Sequence, residues 1–170
     1  AKPTARAFFF LPGLLWFWSG RCPQRSQTRQ MHLSIKRLKM DQLLSLSFSP
    51  QSPVMVGGGR TVTPASPAGT ECRYFARTLS RHAIPLNVGC AVGADAIALE
   101  QASWIFPRLS VFAIFGESGA GAWSRSAVAL VQQAALAGVS VSWRAGGGDE
   151  IPFKARFIRR SLAALAGCQF

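Results

Sequence analysis

Gly89-Cys90-Ala91-Val92-Gly93-Ala94-Asp95 follows a short apolar run, Ile84-Pro85-Leu86-Asn87-Val88, and leads into residues 94 to 103, a good helix sequence. The two glycines let the chain turn from a strand directly into a helix. The first N–H groups of that helix, at the positive end of its dipole, suit an anion. Asp95 has three readings at this position: acceptor for a ribose hydroxyl, anchor for the loop, or an acid stabilising a helix N-terminus. Cys90 reads either as a thiol of lowered pKa or, in preference, as a small buried hydrophobe.

Working outward, the same strand–turn–helix unit recurs. Pro53-Val54-Met55-Val56 is a strand candidate expected to stop at Gly57-Gly58-Gly59-Arg60, where bare backbone N–H groups and one guanidinium suit phosphate, or where glycine simply turns the chain. A proline-containing loop over residues 61 to 69 follows. Cys72, Phe75, Ala76 and Leu79 then recur at i, i+3, i+4 and i+7, one buried face of a helix that ends near His82. Residues 110 to 115 form a third strand candidate, 124 to 137 a helix, 139 to 143 a fourth strand and 152 to 166 a terminal helix, with Gly138 and Pro152 as punctuation.

Four strands alternating with helices, apolar on both faces, specify an α/β fold: a parallel sheet flanked by helices. Ligands of such sheets bind beyond the C-terminal ends of the strands. The loops at residues 57 to 60, 89 to 95 and 146 to 150 all fall at that edge, as does the loop after Phe115 that carries Glu117. Gly147 belongs to the third of these loops.

A chain of 170 residues, 49% hydrophobic, buries one sizeable core, so one domain over residues 51–170 is expected. Residues 1–50 read as an irregular leader. Phe8 to Trp18 is too short and too interrupted by Pro12 and Gly13 for a membrane-spanning helix of about 20 residues, and no small-x-small site follows it. Met31 and Met40 are candidate initiators, an expectation that treats the first 30 to 39 residues as upstream sequence. The formal net charge of +12, of which the leader carries +7, points to an anionic partner. Cys22, Cys72, Cys90 and Cys168 are widely spaced and only His32 and His82 could accompany them, which argues against zinc and for reduced thiols in the cytoplasm. No cofactor is expected.

Several enzyme classes are disfavoured. Gly57 and Gly59 are not followed by the third glycine of a dinucleotide fingerprint, and Asn87 stands where an acidic residue would end the second strand. Gly116-Glu117-Ser118-Gly119-Ala120-Gly121 lacks the second glycine of a nucleophile elbow, and both histidines precede Ser118. No Walker lysine follows Gly121. Arg156 and Arg160, one helical turn apart, form either an arginine grip on phosphate or a solvated basic face. Phe153 and Phe157 share the neighbouring apolar stripe. Trp104, Trp123 and Trp143 either stack on a base or, more often for this residue, pack in a core.

Val54-Met55-Val56-Gly57-Gly58-Gly59-Arg60 and Gly89-Cys90-Ala91-Val92-Gly93-Ala94-Asp95-Ala96, about 30 residues apart with one helix between, resemble the G-S-R and G-x-A-x-G-x-D-x-x-A signatures of the DprA/Smf branch of the Rossmann-like SLOG superfamily. Residues 151 to 160 are similar to that family's later F-P-x-R-N-R segment. Gly stands here for the family's Ser, and no Asn separates the arginines. The resemblance implies a Rossmann-like pocket for a nucleotide or nucleotide-derived ligand, formed by the glycine loops with Gly89, Ala91, Gly93, Asp95 and Arg60. Two alternatives stand beside it: a single-stranded DNA-binding protein whose basic edge tracks phosphates, and a nucleotide-processing enzyme using Asp95 or Glu117. An oligomer is compatible with each.

Overall fold

The computed structural model describes residues 7–11, 14–17, 51–102, 108–166 and 168. In chain order these give β1 (Ala7–Leu11), β2 (Leu14–Phe17), β3 (Val54–Gly58), α1 (Pro67–Arg81), β4 (Leu86–Gly89), α2 (Ala94–Ala102), β5 (Leu109–Phe112), α3 (Arg125–Leu136), β6 (Ser140–Ser142) and α4 (Phe153–Leu165). The sheet order is β2-β1-β3-β4-β5-β6, and β3 to β6 run parallel. The expected α/β, Rossmann-like arrangement of a parallel sheet between helices is therefore present.

Strands β3 to β6 lie side by side in chain order, so right-handed crossovers put α1, α2 and α3 on one face of the sheet. Helix α4 follows the last strand and packs back across β3, β4 and β5 on the other face. Period-two alternation assigns the side chains. Leu86 and Val88 of β4 join Val54, Val56, Leu109 and Val111 in a core with Cys72, Phe75 and Leu79 of α1, Ile97 of α2 and Val131 of α3. Asn87 points the opposite way, and its Nδ2 donates to the Ala164 carbonyl of α4 at 2.7 Å. Asn87 thus ties the middle of the sheet to the helix that closes the pocket described below.

Helix α1 begins earlier than the apolar spacing predicts. Ser66 is its N-cap, with Oγ accepting from Gly69 N–H at 3.0 Å, and Pro67 occupies the first turn, where its missing N–H costs nothing. Ser124 caps α3 in the same way.

Within the leader, residues 7–11 and 14–17 are described and form two strands. Strands β1 and β2 form an antiparallel pair, Phe8 opposite Phe17 and Leu11 opposite Leu14, and β1 pairs antiparallel with β3. The physical reason lies in β3, whose outer edge would otherwise present unpaired N–H and C=O groups. Phe and Trp have high β-propensity, so residues 7–11 and 14–17 suit an added edge. The same pairing extends β3 beyond Val56, because Gly57 and Gly58 stand opposite Phe8 and Ala7. Expectations for Met31, Met40, His32, Cys22 and the basic residues from Arg21 to Lys39 lie outside the described residues, as does Trp104. Among the described residues, no helix is long and apolar enough to cross a membrane.

Candidate functional site

At the C-terminal end of β3 the sheet and α4 enclose a cleft of about 240 Å³, lined by Met55, Gly57, Gly58, Arg60, Ala91, Asp95, Phe157, Arg160, Ser161 and Leu165. Two of the three glycine loops therefore meet here, over 30 residues apart in sequence. The third does not reach it. Gly147 sits beside Ile151 with φ near +95°, and Glu117 lies on an exposed loop whose Glu117 carbonyl accepts from Gln132.

The floor of the cleft is a buried ion pair. Asp95 and Arg160 are only 3% and 4% exposed, and Arg160 Nη1 donates to Asp95 Oδ2 at 3.2 Å. The same carboxylate oxygen accepts from Ala91 N–H at 3.1 Å. Burial pushes the Asp95 carboxyl above the usual carboxylate range, while Arg160 and the Ala91 N–H pull it back. Asp95 therefore joins the 89–95 loop to α4, the loop-anchoring role among its three readings. Gly89 makes the pair possible, since a Cβ there would run into both the Arg160 guanidinium and the Asp95 carboxylate.

The glycine loops serve the protein's own backbone. The Gly59 carbonyl accepts from Ala94 N–H at 3.4 Å and from Val62 N–H at 3.3 Å, so one donor of the α2 N-terminus is already occupied. Gly93, with φ near +87°, packs against the Gly59 carbonyl and lies where a Cβ would be 2.8 Å from Arg60 Cα. Its close approach is to this neighbouring loop. Cys90 is buried, its Sγ accepting from Ile114 N–H at 3.4 Å, and burial pushes its thiol up, which is the behaviour of a packed hydrophobe.

One cationic group of the lining, by contrast, remains available. Arg60 is exposed and lies over two rings, 4.5 Å from the Phe157 centroid and 5.4 Å from that of Trp123. Arg160 lies 5.3 Å from the same Phe157 centroid. Phe157 and Trp123 pack edge-to-face at 5.0 Å, with Phe153 completing the cluster. Arg160 Nε is buried and has no hydrogen-bond partner. Arg156, one turn earlier, is committed to Asp149 at 2.6 Å and lines no part of the cleft, so the expected arginine pair divides between two duties. Gly121 leaves room for that second ion pair, as Gly89 does for the first.

Four lining residues were not among the expected site residues: Met55, Phe157, Ser161 and Leu165. Phe157, Ser161 and Leu165 recur every four residues, so helical spacing from Phe157 held the signal for two of them. Trp143 packs against Phe115 at 6.1 Å, away from the cleft, and Trp123 supports Arg60. Among the described residues no group of His, Cys, Asp or Glu is placed to hold a metal. No family model, curated protein or solved structure matches the chain.

Proposed function

We propose that this domain binds a nucleotide or nucleotide-derived ligand in the cleft between β3, the 89–95 loop and α4. The observation that carries the reading is the meeting, in one cleft, of the exposed Arg60 guanidinium with Arg160 and the two glycine loops. The position is the strand-end crevice where parallel α/β sheets take ligands. The DprA/Smf resemblance supplies the ligand class, and membership of that family belongs to the same proposal. Met55, Phe157 and Leu165 provide an apolar wall for the uncharged part of the ligand. A volume of about 240 Å³ suits one nucleotide unit or part of it rather than an oligomer held whole. The free thiols Cys72, Cys90 and Cys168 suit a reducing compartment, and the cytoplasm is the proposed location.

Calorimetric titration of the full chain with mononucleotides tests the reading: saturable binding that weakens in Arg60→Ala is expected. A single strand gripped through several arginines would instead bind with affinity falling steeply as salt rises. Oligonucleotide binding with a steep salt slope, and no mononucleotide binding, would replace this reading with the DNA-binding one. Catalysis has less support, because Asp95 is bound up in its ion pair and Glu117 lies outside the cleft.

A further inference from the structure

We infer that the cleft selects a singly charged phosphodiester over a doubly charged terminal phosphate, an inference that rests on the nucleotide-binding reading and concerns the charge state of its ligand. Among the described residues, three ionisable side chains line the cleft: Arg60, Arg160 and Asp95. Asp95 compensates Arg160 directly at 3.2 Å. Arg60 is left as the one cation of the lining without a carboxylate, since the ion pairs among the described residues are Arg160–Asp95 and Arg156–Asp149.

The described residues therefore give the cleft one positive unit of charge. Attraction between an anion and that unit grows in proportion to the anion's charge. The cost of stripping water from the anion grows as the square of its charge, so doubling the charge doubles the attraction and quadruples the cost. A partly enclosed cleft with Met55, Phe157 and Leu165 among its walls makes desolvation count. Backbone relief is restricted as well: the Ala91 N–H is taken by Asp95 and the Ala94 N–H by the Gly59 carbonyl. Arg60 then neutralises the ligand's one charge while still stacked on Phe157 and Trp123.

The experiment compares 3′,5′-cyclic AMP with 5′-AMP on the full chain by calorimetry at pH 8 and fixed ionic strength. At that pH the terminal phosphate, whose second pKa is about 6, is a dianion, whereas the cyclic phosphodiester keeps one charge. Base and ribose ring are common to both, the cyclic ester differing also in its tied 3′-oxygen, so a charge variant separates charge from shape. The cyclic nucleotide is expected to bind at least about tenfold more tightly. Ser161→Lys, at a half-buried lining position, adds a second positive charge and is expected to narrow or reverse that preference, with circular dichroism verifying the fold. Equal or tighter binding of 5′-AMP to the unaltered protein would overturn the charge selection while leaving the nucleotide-binding reading standing. Binding of neither nucleotide would overturn both. A preference untouched in folded Ser161→Lys would show that charge is not its cause, and so would also overturn the inference.

Discussion

Arg60 and Gly89 show how differently two residues of one cleft depend on their surroundings. Arg60 is exposed, so Arg60→Ala should weaken nucleotide affinity by about 1.5–3 kcal/mol, the scale of a charge-assisted hydrogen bond. Its stacking on Phe157 and Trp123, worth about 0.5–1 kcal/mol at an exposed site, limits the loss of stability. Lysine should restore only part of the affinity because it lacks the planar fork; parallel titrations and denaturant melts of both variants measure the split. Gly89→Ala should act the other way, destabilising the protein by about 3–5 kcal/mol, because the new Cβ displaces one partner of a buried ion pair. Gly93→Val should act on stability before it acts on ligand binding. With φ near +87° and the Gly59–Arg60 backbone against it, stability should fall first, and urea melts decide. Cys72 supplies a pH test. Burial pushes its thiol from 9.0 to about 12, so the unfolded thiol ionises while the folded one stays protonated. Stability contributed by this group is complete below pH 9 and is lost as pH rises toward 12, at about 1.4 kcal/mol per unit. Melts at pH 9, 10 and 11 should show that slope reduced in Cys72→Ala.

At the scale of elements, apolar spacing located α1 but not its start. Cys72, Phe75, Ala76 and Leu79 are all buried, as their spacing requires. The start of α1 was legible only in its cap, since Ser66 and Pro67 precede the first periodic position. Ser66→Ala should lower stability by about 1 kcal/mol in a denaturant melt, the cost of one unsatisfied helix N–H. Helix α4 combines two functions that periodicity can separate. Phe157, Ser161 and Leu165 share the cleft, whereas Arg156 and Arg160, spaced identically, part company because their acidic partners come from different segments, the first turn of α2 and the loop after β6. Nothing in the spacing of two arginines says which carboxylate each will meet. That choice is made by Asp149 and Asp95, delivered from seven and 65 residues away.

For the whole molecule, the leader decides how β3 is finished. The named core of β3 to α4 lies within residues 54 to 164, so deletion of residues 1–39 should leave a single cooperative transition in urea. The same deletion removes β1 and bares the β3 edge, so the shortened chain should associate, as light scattering would register. A molten chain after this deletion would mean that the hairpin contributes to the core as well as to the edge. By itself the sequence determined the alternation of strands and helices, the parallel sheet and the burial of Cys90, because periodicity, glycine placement and side-chain polarity act over a few neighbouring residues. It also brought Arg60, Gly89 and Asp95 forward as a group. Only the tertiary structure decided that Asp95 would neutralise Arg160, that Gly59 would cap the α2 N-terminus, that Arg60 would keep its charge uncompensated and that β3 would gain an antiparallel neighbour. Each of these is a pairing between segments distant in the chain, and the energy of a buried charge or an open strand edge depends on what the fold places opposite it.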